Sequence, residues 1–392
     1  MLPLDGIRVL DMTAFHLGPS ATVLLADLGA DVIKVERPEG DPVRLRGQRT
    51  DKKGIPAHFL AINRNKSSIV LDLQKEKGRE IALQLAEKSD VFVHNMRPGA
   101  IERLGLGYEE VSRRNPKIIY ASATPWGIKG PDAMQPANDL TGQARGGVMT
   151  QTGSEENPIP CGPAIADHLT GLYLAFAIVT ALLAREHTGV AQHVDVSMLG
   201  SLIALQSREV TNYLINGPPI LTWQTVFGAL WNPVKTKDQW LCIGAVRDWP
   251  AFCKLMGLEY LVNDPRFATP EGRYENGEEL RAILGEALAK QARQEWLEAF
   301  NKEEIIYSPV NTLADVVEDP QAIDNEYIME HDYPGHGQVK VAGVPVHFSK
   351  MPIKQCRPSP QLGEHTQEIL QELGYTLDKI AELNSQGVIH MS

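Results

Sequence analysis

The chain has no surplus of positive charge. Its 38 Lys and Arg stand against 49 Asp and Glu, a formal net charge of -11, whereas a surface that holds nucleic acid or an anionic membrane needs the opposite balance. No nucleic-acid or membrane partner is therefore expected, and a polyanionic ligand must be met by a local group of cations. Cysteine is equally scarce. Cys161, Cys242, Cys253 and Cys356 show no CxxC spacing, which argues against a zinc site or a disulfide framework and for reduced thiols in the cytoplasm. The opening MLPLDGIRVLDMT lacks a basic region followed by an apolar core and a cleavage site, so secretion is not expected. The apolar run Leu169 to Ala184 falls short of the roughly 20 residues that a bilayer requires. It is flanked by Asp167 and His168 on one side and by Arg185, Glu186 and His187 on the other, and it reads as a buried core helix.

Several catalytic motifs are missing too. The first strand-to-helix turn reads AFHLGPSAT instead of the dinucleotide fingerprint GxGxxG, which disfavours an NAD-dependent enzyme. There is no Walker loop, no HExxH and no GxSxG elbow, so kinase, zinc-enzyme and hydrolase readings lose their usual support. Eleven histidines are scattered without a ligand-like pairing, and no metal site is expected. Of these, His16 in the first turn is the one to watch, and His168 reads as a structural neighbour of Asp167.

What remains is an ordinary globular composition, 43% hydrophobic and 22% charged over 392 residues, enough for two or three domains or one large α/β domain with an insertion. IRVLDM (Ile7 to Met12) reads as a strand, Gly18 to Ala30 as a helix with Pro19 at its start, and DVIKVE (Asp31 to Glu36) as a second strand. A helix near Gly78 to Lys88 and strands at Asp90 to Asn95, Pro116 to Ala123 and His193 to Met198 continue the alternation. A doubly wound, mostly parallel sheet covered by helices follows. The pattern changes near NGPPILTW, and the expected organisation is a large domain over 1–200, a linker over 201–225, a small domain over 226–320 and a return to the large domain over 321–392.

Asp167 falls in the first turn of the long apolar helix. Free N–H groups and the helix dipole there favour an ionised carboxylate, and an ionised acid beside a dry helix is a candidate nucleophile. Acids are also the ordinary occupants of a first helical turn, so the position alone leaves both readings open. Gly171 and Ala175 make the face above the acid small, which suits either an approaching ligand or a closely packed helix. Between Lys34 and Lys66 the chain is locally basic, with Arg37, Arg44, Arg46, Arg49, Lys52, Lys53 and Arg64. Cations near the ends of parallel strands suit a phosphorylated ligand.

The stretches LDGIRVLDMT, LGPSATVLLADLGADVIKVERPEGDPVR, NRNKSSIVLDL, DVFVHNMRPGAIERLGLGYEEV, NPKIIYASATPWGIKGP, REHTGVAQHVDVSM, GVPVHFSKMP and LGEHTQEILQELGY occur in this order along nearly the whole chain. Together they resemble the class III CoA-transferases of the CaiB/BaiF family, formyl-CoA transferases among them. The resemblance implies a Rossmann-like large domain with a smaller inserted α/β domain, and two subunits interlocked as a homodimer. It aligns Asp167 with the family's nucleophilic aspartate and Asp139, in PANDLTGQA, with an acidic position near it. By the same alignment, CoA contacts fall to His16, Leu17, Arg37, Leu71, Asn95, Met96 and Arg103. The implied reaction moves CoA from an acyl-CoA to a free carboxylic acid through an aspartyl mixed anhydride and an aspartyl-CoA thioester, with CoA thioester as substrate and no permanently bound cofactor.

One departure matters. Related α-methylacyl-CoA racemases carry a histidine where this chain has Asn138, and an amide cannot move a proton at neutral pH. Racemase or epimerase is thus the alternative, a non-catalytic acyl-CoA binder the third reading. Arg44 and Arg46 lie near a segment that lines the acyl site in relatives and are, with Asn138, the candidate substrate residues. They suggest a second carboxylate on donor or acceptor.

Overall fold

The apolar runs that read as strands pair in parallel along one sheet. In the computed structural model, which describes residues 2–44, 56–218, 232–303, 305–333, 337–353 and 357–391, the strands are β1 (Arg8–Met12), β2 (Asp31–Glu36), β3 (Lys66–Leu71), β4 (Val91–His94), β5 (Ile119–Thr124) and β6 (His193–Ser197). Their order is β3-β2-β1-β4-β5-β6, and the short C-terminal strand Ile389–His390 adds antiparallel to the β3 edge. β3 was not expected as a strand, because it begins Lys-Ser-Ser. Its lysine is nevertheless buried, with Nζ donating to Thr22 Oγ1 at 2.7 Å, Asn63 Oδ1 at 2.9 Å and Asp11 Oδ2 at 3.1 Å.

Side chains alternate across the sheet with period two. Val9, Val32, Val91 and Ile119 pack under α1 (Leu17–Asp27) and the long helix Ile165–Thr188. Leu10, Ile33, Ile69, Phe92 and Tyr120 face helices on the other side, among them Glu76–Glu87, Tyr108–Arg114 and the C-terminal pair Thr366–Glu372 and Leu377–Ser385. The strand order reverses direction at the β1–β4 pair, and in open α/β sheets ligands bind beyond the carboxyl ends of strands at such a point.

The long helix has 24 residues and is long and apolar enough, by length and composition, to cross a membrane. The expectation of a buried core helix needs correcting: Ala166, Thr170, Gly171, Leu174, Ile178 and Ala181 are buried, but Leu172, Phe176, Val179 and Leu183 form an exposed apolar stripe on the opposite face.

By internal contacts the chain divides into two compact units, one running to Leu205 and resuming at Asn325, the other Gln206–Asp324. The second holds a three-stranded antiparallel sheet (Pro233–Lys235, Trp240–Ala245, Ile306–Pro309) and helices whose Trp249, Phe252, Leu284, Trp296 and Phe300 make a separate core. The division falls after Leu205. Within 201–225, expected as a linker, the structure instead shows the end of helix Met198–Leu205 and all of helix Ser207–Asn216.

Candidate active site

The β1–α1 turn is anchored by side chains from several elements of the first unit. Phe15 has φ 66°, a left-handed conformation costly for a bulky residue, which persists only where its surroundings impose it. Those surroundings are specific. Asp11 Oδ1 accepts from the Thr13 N–H (2.9 Å) and hydroxyl (2.5 Å), the Thr13 carbonyl accepts from Lys34 Nζ (2.9 Å), and Asp41 Oδ1 accepts from the Phe15 N–H (3.3 Å). Asn95, at the end of β4, clamps Ala14 from both sides: Oδ1 accepts its N–H (2.9 Å) and Nδ2 donates to its carbonyl (2.8 Å). Beneath the turn, burial would push the Asp11 carboxyl up, but Lys66 and Lys34 draw it down to about 2. The result is a preformed cleft of about 160 Å³ at the carboxyl ends of β1 and β2, lined by Thr13, Phe15, Arg37, Asp41 and Met96 among others.

His16 carries the turn to the long helix, here α2 (Ile165–Thr188). Its Nε2 lies 2.9 Å from His168 Nε2, and its Nδ1 lies 2.6 Å from Nε2 of His58, on helix Ala57–Asn63. Close packing of α1 on α2 permits this. A Cβ placed on Gly171 would stand 2.1 Å from Ser20 Oγ and 2.9 Å from the Leu17 carbonyl, so the small face above Asp167 is a helix contact and not an opening.

Asp167 sits half-buried in the first turn of α2. Its N–H donates to Asp139 Oδ1 at 3.0 Å. Asp139 in turn is held by Gln143, whose Nε2 donates to Oδ2 at 2.6 Å and whose Oε1 accepts the Cys161 N–H at 2.9 Å. Asn138 explains why Asp139 stands where it does. It caps helix Asp139–Arg145 through a reciprocal pair with Thr141: Oδ1 accepts the Thr141 N–H at 3.0 Å, and its own N–H donates to Thr141 Oγ1 at 2.9 Å. This capping box fixes Asp139 at the first helical position, aimed at the start of α2.

The electrostatics invert the expectation of a readily ionised Asp167. Burial first, and then the Asp139 carboxylate, push its carboxyl up to about 7. The free N–H that would favour a charge on Asp167 is already given to Asp139, leaving Asp167 partly desolvated next to a second anion.

The other expected site residues fall into distinct groups. His16, Leu17, Asn95 and Met96 gather at the β1–α1 turn, Leu17 mostly buried and Met96 lining the cleft. Arg37 is exposed at the cleft rim, its Nε donating to the Gly40 carbonyl at 3.0 Å. Arg103 ends the short helix Ala100–Arg103 and is exposed, with no ion pair among the described residues. Leu71 has no exposed surface, so in this structure neither its side chain nor its main chain is open to a ligand. Arg44 is corrected as a substrate residue. Its guanidinium makes a two-pronged pair with Glu36 (2.8 and 2.7 Å), donates to the Pro360 carbonyl at 3.0 Å and stacks 3.6 Å above the Phe59 ring, which leaves no fork for a substrate carboxylate. Arg46 lies outside the described residues. Sequence reasoning missed His58 and Gln143. Gln143 was findable as the residue one helical turn after Asp139, whereas no spacing links His58 to His16.

Comparison with known proteins adds to this geometry. The family model CoA-transferase family III matches residues 4–366. The chain belongs to CoA-transferase family III. This family III enzyme is 38% identical over 399 residues to a succinyl-CoA:glutarate CoA-transferase of Mus musculus, covering 99% of this chain and 91% of that protein. It is 34% identical over 409 residues to a formyl-CoA:oxalate CoA-transferase of Streptomyces coelicolor, covering 98% and 99%. Among solved structures it is similar to a CaiB/BaiF family protein from Brucella suis, at a TM-score of 0.87 and 35% identity over 95% of this chain and 99% of that one.

Proposed function

We propose that this family III enzyme transfers CoA from an acyl-CoA to a free dicarboxylic acid, with Asp167 as the nucleophile. The observation that carries the reading is the placement of Asp167, half-buried in the first turn of α2 with its N–H given to the anchored Asp139, a setting that pushes its carboxyl up to about 7. Such a carboxylate is more basic, and so more nucleophilic, than an exposed one. It is also destabilised as an anion, and acylation removes the charge. A carboxylate oxygen of Asp167 attacks the thioester carbonyl, the C–S bond breaks, and CoA leaves as thiolate from a mixed anhydride. The thiolate then attacks the aspartyl carbonyl and expels the donor's carboxylate, leaving an aspartyl-CoA thioester. The acceptor carboxylate repeats the two steps in reverse and restores Asp167. Dividing one exchange into easier steps is the gain of covalent catalysis, and no net proton is consumed.

The dicarboxylate is inferred from the relatives, whose names pair succinyl-CoA with glutarate and formyl-CoA with oxalate. Racemisation is the weaker reading, since Asn138 has no proton to move and its side-chain oxygen is engaged by the Thr141 N–H. The exposed stripe Leu172, Phe176, Val179 and Leu183 supports self-association, because an apolar face of this kind is the mark of a contact surface. A second copy of the chain is its proposed cover, and because interlocked subunits cannot separate while folded, Phe176→Asp should lower the urea midpoint of the dimer and not release a folded monomer in sedimentation.

The activity is tested by incubating the enzyme with succinyl-CoA and isotope-labelled glutarate in deuterated water. Label is expected in glutaryl-CoA, with no deuterium at the α-carbon of recovered thioester. Deuterium uptake without label transfer would favour the racemase instead.

A further inference from the structure

Three imidazoles from three separate elements form one line. His58 Nε2, His16 and His168 Nε2 are joined by N···N contacts of 2.6 and 2.9 Å, and the His16 and His168 rings stand nearly perpendicular at 86°. The nitrogens pair with one another instead of converging on a point, and no cluster among the described residues has the arrangement of a metal site. Each contact needs one proton between two ring nitrogens. Burial, and then the neighbouring His168 and His58, hold His16 down to about 4, and burial also lowers His58 and His168. All three rings are therefore neutral near pH 7 and carry one N–H each.

Counting protons then limits the line to two states. Of the three N–H protons, two occupy the contacts between rings, and the third must sit on an outer nitrogen, Nδ1 of either His58 or His168. One end of the line is always a donor and the other a bare acceptor. The charged groups acting on it are Asp139, which bears on both His16 and His168, and Asp41, which bears on His58. Asp139 also holds the N–H of Asp167, so the line and the nucleophile share one carboxylate neighbour.

We propose that His58, acting through His16, is a positioning residue for the reaction at Asp167: the line turns its spare proton to His168 while Asp167 is an anion, and to His58 once Asp167 has become a neutral acyl derivative. In the reversal one proton leaves His168 Nδ1 for solvent, each ring hands one proton on, and one is taken up from solvent at His58 Nδ1. The line's charge does not change. The link runs through Asp139, which bears on the His168 ring and accepts the Asp167 N–H: an N–H at the His168 end favours the negative charge of Asp139 beside an ionised Asp167, and its withdrawal follows the loss of charge on Asp167. The inference rests on the reading of Asp167 as nucleophile, and it extends that reading to a residue that touches neither carboxylate.

Histidine-selective 15N NMR of the whole protein at pH 8 reads the state of each ring nitrogen without any substrate. In the wild type, with Asp167 ionised, His58 Nδ1 should be bare; in Asp167→Asn it should carry the proton. The same His58 tautomer in both proteins would overturn the proposal. His58→Gln keeps a hydrogen-bonding group for His16 but cannot pass a proton on. It should lower kcat about tenfold, the worth of one hydrogen bond, with KM for the acyl-CoA within about twofold of wild type. Unchanged kcat would contradict the catalytic part. If the wild type transferred no CoA at all, the nucleophile reading would fail, while the tautomer comparison would still decide the behaviour of the line.

Discussion

Asp167→Asn should stabilise the protein at pH 8 while abolishing transfer. Burial, then Asp139, raise the Asp167 carboxyl from 3.8 to about 7, and at 1.36 kcal/mol per tenfold change in proton affinity this amounts to roughly 4 kcal/mol set against the charged form. A carboxyl whose pKa rises on folding binds its proton more tightly in the folded state. Stability is therefore unaffected by this group below its unfolded value, falls as pH climbs, and has lost the full amount once pH exceeds the folded value. Asparagine keeps the shape and carries no charge, so the variant escapes the loss. Equilibrium urea denaturation of both proteins should show the advantage of Asp167→Asn growing by about 2 to 3 kcal/mol between pH 5 and pH 8. An advantage that stays flat over that range, or a variant less stable than wild type at pH 8, would refute the claim that Asp167 is held as a strained anion.

Three further outcomes follow from the same geometry. The initial rate of enzyme–CoA adduct formation should rise roughly tenfold from pH 6 to pH 8 as a group of pKa about 7 ionises; a flat profile would exclude Asp167 ionisation as the controlling event. Asn138→Ala removes the cap of helix Asp139–Arg145 and should cost about 1 kcal/mol in denaturation together with a loss of turnover, whereas Asn138→Asp, which also caps, should retain most of both. Gly171→Val places its side chain against Ser20 and the Leu17 carbonyl and should cost about 1–3 kcal/mol or more in the same denaturation experiment, since overpacking α1 against α2 forces them apart.

The sheet was legible because its strands are short apolar runs between turn residues, and the observed β2 spans the residues read for it, Asp31–Glu36. β3 was not, because Lys66, Ser67 and Ser68 are polar, and only the buried partners Asp11, Asn63 and Glu36 make them fit an interior strand. Asp167 could be singled out by its place at the mouth of an apolar helix, but its charge state could not. The dipole argument considered α2 alone, and the residue that takes the helix N–H, Asp139, comes from a helix 28 residues earlier. Arg44 looked available for a substrate because sequence shows a cation and not its partner, Glu36. His58 was invisible for a related reason: 42 residues separate it from His16, and only the packing of two helices on the β1–α1 turn brings the rings together.

The central claim is that Asp167 becomes covalently bound to CoA during transfer. It is tested most directly by incubating the protein with succinyl-CoA and no acceptor, quenching, digesting and weighing the peptide that contains Asp167. The account predicts CoA on that peptide, a hydroxamate in its place when hydroxylamine is present, and neither in Asp167→Ala. Label transfer from donor to acceptor by a protein whose Asp167 peptide never gains mass would contradict it.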